Sequence, residues 1–177
     1  MADLQIELTE RETALASQIP FDSSLAGYNA ASWRPIADAM EELMSSLEAR
    51  NAIPEPRKRF FEDPAYCVRG RGFSRREIFK KNVTRGSDIY RDGNFVKYLR
   101  YFVFGPDLPV PVMEAFQEKA KSMSGDSIAL GDLGRQLTRS HGLNAGEAAE
   151  EFYKLALDCG RGADDARVVR DRVKKMR

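Results

Sequence analysis

The chain has 177 residues, of which 42% are hydrophobic and 31% charged, and its formal net charge is +1. That composition is typical of a globular protein and excludes intrinsic disorder over most of the length. No apolar run approaches the ~18 residues that a membrane-spanning helix needs, so we expect no membrane partner.

Two cysteines and the amino terminus bear on the cellular compartment. Cys67 and Cys159 lack both a CxxC partner and a histidine cluster, which is typical of structural thiols. The opening residues, MADLQIELTERE, show no basic stretch followed by an apolar one, so we expect no secretory signal. A reducing, cytoplasmic localisation fits both observations.

The small net charge conceals three regions that differ in charge. Residues 1–56 carry ten acidic and three basic side chains, and residues 57–100 carry five acidic and thirteen basic ones. Residues 101–177 carry twelve of each sign, and eleven of the sixteen Phe and Tyr lie between positions 60 and 104. We expect a single helical domain over 1–177, made of an acidic N-terminal arm (1–56), a basic-aromatic segment (57–104) and a helical C-terminal part (105–177).

The acidic arm should form two helices. Thr9 and Glu12 have capping-box spacing, which predicts a first helix over 10–18. Small and turn residues over 21–32 predict a loop, and a second helix should follow the Trp33–Pro35 region. Its apolar side chains recur with helical spacing and are Ile36, Met40, Leu43, Met44 and Leu47.

The basic-aromatic segment should contain two clear helices. One spans 74–83 behind a second capping box, and the other spans 94–104 as the central element of the core. In the first of them Ile78 and Phe79 should face the core. The cations expected on its opposite, exposed side are Arg75, Arg76, Lys80 and Lys81. A shorter helical segment is expected over 56–63.

Cations interleaved with aromatic rings are what a nucleic acid requires for its phosphates and bases. Arg69 and Arg71 alternate with glycines, which places two guanidinium groups on a loop. The predicted nucleic-acid-binding surface consists of Arg69, Arg71, Arg75, Arg76, Lys80, Lys81 and Arg85. Such a surface would bind non-specifically, mainly through backbone contacts.

The alternative is a protein–protein interaction module, forming a homo-oligomer or a hetero-oligomer. In that case the basic surface pairs with an acidic partner or with the chain's own N-terminal arm. Neutralisation by that arm would leave little cationic surface for a nucleic acid.

The C-terminal part should hold three helices, over 109–123, 127–140 and 144–158, before a last segment over 164–177 with helical spacing. The side chains expected to be buried in the second of these helices are Leu130, Leu133 and Leu137. No window alternates as a strand would. The sequence therefore predicts an all-α fold of six or seven helices in one irregular bundle, with no confident strand.

Sequence patterns of common enzyme sites are missing. The chain has no HExxH, GxxxxGK[ST], GxGxxG or GxSxG. His141 is the sole histidine and directly precedes Gly142, where the end of a helix explains it better than catalysis does. Acidic residues do not cluster as metal ligands would. We therefore predict no catalytic residue, metal or cofactor, and favour a binding protein over an enzyme.

Overall fold

A computed structural model describes residues 5–21, 30–63, 74–85, 94–122 and 125–175. For residues 30, 81–85, 94 and 95 the description covers the backbone alone. The described residues form nine α-helices and no strand, which confirms the all-α class and makes the expected six or seven helices too few. The helices are α1 (Glu10–Ser17), α2 (Ala30–Ala49), α3 (Glu55–Glu62), α4 (Arg75–Arg85), α5 (Asn94–Phe104), α6 (Val110–Ser122), α7 (Ser127–Ser140), α8 (Ala145–Asp158) and α9 (Ala163–Lys174). None of them is long and apolar enough to cross a membrane.

The start of α1 is as predicted, and the start of α2 is not. The Glu12 N–H donates to the Thr9 hydroxyl at 3.2 Å, and the Thr9 N–H donates to the Glu12 carboxylate at 3.0 Å. By contrast, α2 begins at Ala30, inside the predicted loop, and contains Pro35. A proline near the beginning of a helix removes one intrahelical hydrogen bond, which a 20-residue helix with a buried apolar face can tolerate. The predicted apolar side chains of α2 are all buried.

The chain divides into two compact units. One is Gln5–Phe104, which we call the N-terminal unit, and the other includes Gly105–Arg177, which we call the C-terminal unit. The single domain and the single bundle stay predictions.

The N-terminal unit has an aromatic core between α3 and α5. α2 packs on α1 and α4, and α3 packs on α4 and α5. The Phe60 ring meets Tyr101 edge to face at 5.0 Å, and the Phe61 ring meets Phe102 at 4.7 Å. Leu99 is fully buried, so α5 supplies core side chains as the sequence predicts. Tyr101 of the same helix is buried as well.

The C-terminal unit is organised around α9, which packs on both α7 and α8. Two glycines of α7 face it. A Cβ atom on Gly131 would lie 2.9 Å from the Arg172 Cβ, and one on Gly134 would lie 2.9 Å from a Val173 methyl group. Side chains essentially never approach that closely, so only glycine permits this helix spacing.

The glycines explain a partial error in the predicted core of α7. Leu130 is fully buried as predicted, but Leu133 and Leu137 are only half-buried. The helix buries its glycine face instead, together with the Thr138 side chain. Prediction from hydrophobicity alone favours burial of leucine over glycine. It therefore assigned Leu133 and Leu137 to the core instead of the adjacent helix face that carries the glycines.

Candidate functional site

The predicted nucleic-acid-binding surface falls only partly within the described residues. Arg69 and Arg71 lie outside them, and for Lys81 and Arg85 the backbone alone is described. The predicted cations whose side chains are described all lie on α4 and are Arg75, Arg76 and Lys80. The contacts and exposure of these three side chains show how far the positive charge of α4 is accessible at the surface.

The beginning of α4 fixes which side chains enter the core. The Glu77 N–H donates to the Ser74 hydroxyl at 3.1 Å, and the Ser74 N–H donates to the Glu77 carboxylate at 3.2 Å, which confirms the predicted capping box. Phe79 is then fully buried. Arg75 and Arg76 lie one turn before Phe79, at i−4 and i−3, and therefore share its face of the helix.

Arg76 is held between two glutamates of α2. Its Nη1 and Nη2 atoms donate to the two Glu41 carboxylate oxygens at 2.8 and 3.0 Å. Its Nη2 atom also lies 2.8 Å from a Glu48 oxygen, and its Nε donates to that oxygen at 3.1 Å. This geometry uses the planar guanidinium as a two-sided clamp, which a lysine cannot reproduce.

The pKa values of this cluster follow from the pairing. Burial by itself would lower the pKa of Arg76, but the hydrogen bonds to Glu41 and the charge of Glu48 raise it above its ordinary value. Burial would likewise raise the pKa of Glu41, yet the hydrogen bonds from Arg76 lower it. Arg76 and Glu41 therefore both stay charged at neutral pH and form an ion pair.

Arg75 is directed into the aromatic core. Its Nη1 atom donates to the Phe60 carbonyl oxygen at 2.9 Å, and its guanidinium carbon lies 3.9 Å from the Phe60 ring centroid. The Tyr98 ring centroid is 5.1 Å from the same atom. The cation therefore stacks against rings of α3 and α5, where it is attracted to their π faces.

The expectation that Arg75 and Arg76 lie on the exposed side of α4 is therefore wrong. Each is only 7% exposed, because the helix face that buries Phe79 carries both of them inward. Lys80 is exposed as predicted, and its charge helps to lower the pKa of Glu41. Of the three described cations, one therefore remains at the surface.

A second polar cluster surrounds Glu12, which the sequence predicted only as part of a helix cap. Glu12 is fully buried and accepts hydrogen bonds from the Ser46 hydroxyl at 2.8 Å and from the Arg50 Nε and Nη2 atoms at 2.9 and 2.7 Å. The Arg50 hydrogen bonds, against the opposing effect of burial, lower the pKa of Glu12 from 4.5 to about 2. We call Glu12, Ser46 and Arg50 the α1 pin.

Arg57 is a third buried cation, and its sequence context alone indicated no role for it. It is fully buried on α3, and its guanidinium carbon lies 5.9 Å from the Tyr101 ring centroid. The spacing of Arg57, Phe60 and Phe61 puts all three on one helix face. The same signal, an arginine three or four positions from a core phenylalanine, identifies Arg75 and Arg76.

Two clefts of the N-terminal unit are lined by described residues. A cleft of about 280 Å³ lies between α1 and α2, beside Leu15, Pro35 and Ala39, and a second of about 80 Å³ lies beside Ile53 and Phe102. Among the described residues no group of three or more His, Cys, Asp or Glu could hold a metal ion.

Cys159 does not have the character of a reactive thiol. Burial raises its pKa to about 11, and the negative charge of Asp158 acts in the same direction. The group is therefore protonated at neutral pH, and a protonated thiol is a poor nucleophile.

Comparisons with known protein families, with curated proteins and with solved structures found no match to this chain.

Proposed function

We propose that this chain is a protein–protein interaction module whose basic segment is partly neutralised by its own acidic N-terminal arm. The observation that carries the proposal is the position of Arg76 between Glu41 and Glu48. Both glutamates belong to residues 1–56, and both approach the guanidinium to 2.8 Å. The charge of α4 is thus used to hold helices together within the molecule.

A polyanion would gain little from such an arginine. To reach Arg76 a phosphate would have to displace two carboxylates and leave them without their partner in a poorly solvated place, which is costly. Surface cations of the same unit also have carboxylates one turn away, as in the pairs Arg34–Asp38 and Arg59–Glu55. A surface of paired charges attracts a partner of complementary pattern more than it attracts a uniform polyanion.

Exposed apolar side chains favour the same reading. Phe104, Val110 and Ile128 are large and apolar, and each is left substantially exposed. Single side chains of this kind are common on protein surfaces, and a partner that covered them would gain the free energy of removing them from water. We place this interaction in the cytoplasm, as the isolated cysteines indicate.

Nucleic-acid binding is the second candidate, and the exposure of Lys80 is the observation that favours it. It would depend on Lys80 together with Arg69, Arg71, Lys81 and Arg85. If these five cations neutralise five phosphates, the logarithm of affinity should fall against the logarithm of salt concentration with a slope of about −4.

Fluorescence anisotropy with labelled DNA and RNA separates the two candidates. The chain and a Glu41→Gln/Glu48→Gln variant are titrated at low salt and again at physiological salt. We expect no salt-dependent binding by the chain. A slope near −4 for the chain would overturn the proposal and establish polyanion binding. Binding by the variant alone would show that Glu41 and Glu48 keep a polyanion away from Arg76, as the proposed neutralisation requires.

Sedimentation provides the positive test. An interaction module that pairs with itself should show a mass that rises with protein concentration, and the mass should depend on salt if charge complementarity matters. A mass that stays at 20.0 kDa over the whole accessible range would restrict the proposal to a different partner chain.

A further inference from the structure

α1 depends on its docking site for its structure. It has eight residues, well below the ~12–15 at which an isolated helix becomes marginally stable in water. Within it only Glu12 and Leu15 are buried, and Ile19 follows just after its end. Its attachment to α2 therefore relies on two apolar side chains and on the α1 pin.

The α1 pin selects for a carboxylate at a defined position. The Ser46 hydroxyl and the Arg50 guanidinium donate three hydrogen bonds of 2.7 to 2.9 Å to Glu12. The Arg50 Nη2 atom also donates to the Glu7 carbonyl oxygen at 2.6 Å, just before the helix begins. A glutamine at position 12 could not satisfy these donors, because its amide offers one acceptor oxygen instead of two.

Apolar packing between the two helices is incomplete. The cleft of about 280 Å³ runs between them, beside Ala14, Leu15, Pro35 and Ala39. A salt bridge between Arg11 and Glu42 spans its rim. Shape therefore contributes less to the recognition of α1 than charge does. A helix held mainly by the pairing of its buried Glu12 with Arg50 can be replaced by another helix of the same chemistry.

We propose that Ser46 of α2 and Arg50, which directly follows α2, form a receptor site for a short helix with the pattern Thr-x-x-Glu-x-x-Leu, and that α1 of a second copy of this chain occupies it. This inference rests on the proposed interaction function and names the partner as another copy. Each copy carries one ligand helix and one receptor, so reciprocal exchange closes a two-fold dimer.

Complementation between two full-length variants tests the exchange. Glu12→Gln removes the ligand carboxylate but leaves the receptor intact, whereas Arg50→Met removes the receptor cation but leaves the ligand intact. Mixing them lets Glu12 of one chain meet Arg50 of the other. We expect the mixture to form a dimer at a protein concentration at which each variant alone is a monomer by sedimentation.

The size of the effect follows from the interactions that are restored. One recovered set of hydrogen bonds to a charged group corresponds to about a tenfold or greater gain in dimer affinity.

The matched control mixes Arg50→Met with a Glu12→Gln/Arg50→Met double variant. No intact α1 pin can form in this mixture, so it should stay monomeric. Circular dichroism must show wild-type helix content in every chain. Where Arg50→Met unfolds, Ser46→Ala replaces it, because this change removes only one hydrogen bond of 2.8 Å.

Each outcome separates this inference from the broader function. A dimer in the variant mixture and none in the control supports exchange of α1. Equal behaviour of both mixtures, with a wild-type mass that still rises with concentration, overturns the exchange and leaves the interaction function standing. Steep salt-dependent binding of DNA or RNA by the wild-type chain would instead remove the interaction function itself.

Discussion

The two units of this chain bury different kinds of polar group. Among the described residues, every buried charged side chain lies in the N-terminal unit, and these are Glu12, Arg57, Arg75 and Arg76. The buried polar side chains of the C-terminal unit are uncharged and are Gln117, Ser127 and Thr138. The C-terminal unit brings α7 and α9 together at two glycines, and the ion pair between them, Asp132–Arg172, is partly exposed.

This difference shows which feature of helix packing each kind of contact determines. A buried ion pair favours one register, because any slip leaves a charge unpaired in a poorly solvated place. A glycine contact fixes a distance, because any added atom meets the opposite helix. Buried charge should therefore matter most in the N-terminal unit, and side-chain volume at the α7–α9 contact should matter most in the C-terminal unit.

Removing the charge of Arg76 should have the largest effect. Arg76→Met leaves Glu41 and Glu48 without their common partner, and the loss of a buried charge partner costs about 3 kcal/mol of unfolding free energy. Urea denaturation at neutral pH measures the loss. Lys80→Met, one turn further along α4 and exposed, is the matched control and should change stability by less than about 0.5 kcal/mol.

A second variant distinguishes lost pairing from lost packing. Adding Glu41→Gln and Glu48→Gln to Arg76→Met removes the uncompensated charges, so at least half of the lost stability should return. If the triple variant is less stable than Arg76→Met, the glutamates contribute through other contacts. Unpaired carboxylate charge would then not be the cause of the stability lost in Arg76→Met.

Adding volume between α7 and α9 should have the next largest effect. Gly134→Leu places a side chain where a single Cβ already lies 2.9 Å from a Val173 methyl group. Overpacking of this kind costs about 2 kcal/mol even after the better helix propensity of leucine is counted. Gly146→Ala is the control, because the nearest atom there, the Oδ1 of Asn144, lies 3.4 Å away, which is an ordinary contact distance. The control should be neutral or slightly stabilising in the same denaturation experiment.

Glu12→Gln should lower stability by about 1.5 kcal/mol at pH 7, since it breaks hydrogen bonds to a charged group. The pKa of Glu12 is lowered from 4.5 to about 2 in the folded chain. A lowered carboxyl pKa contributes stability above the unfolded value, and that contribution is lost as pH falls through the folded value. The difference between wild type and variant should therefore be constant above pH 4.5 and shrink between pH 4.5 and 2.

The pH series also tests the contrast between the units. Gly134→Leu changes volume and no ionisable group, so its cost should stay the same over the pH range in which the Glu12→Gln difference shrinks. Two parallel declines would show that acid weakens both units in general, and would remove the assignment of the effect to the α1 pin.

Local signals predicted the helices, and distant pairings decided their burial. The capping boxes at Thr9 and Ser74 were readable because donor and acceptor lie three residues apart. Arg76, however, is buried by glutamates 35 and 28 positions earlier, which no window of the sequence contains. The glycine face of α7 likewise has meaning only once α9 is placed against it. The spacing of Arg76 to Phe79 was the one available local clue.

The smallest effect is expected for an ion pair that has the chemistry of Arg76–Glu41 and lacks its burial. Arg59 and Glu55 lie one turn apart on α3 at 3.4 Å, and their side chains are 60% and 65% exposed. Arg59→Ala should cost less than about 0.5 kcal/mol, because water screens the pair and the flexible side chain regains freedom. If urea denaturation gave a loss close to that of Arg76→Met, burial could not be what separates the two pairs. The stability of the N-terminal unit would then depend on its total charge rather than on where the charge is placed.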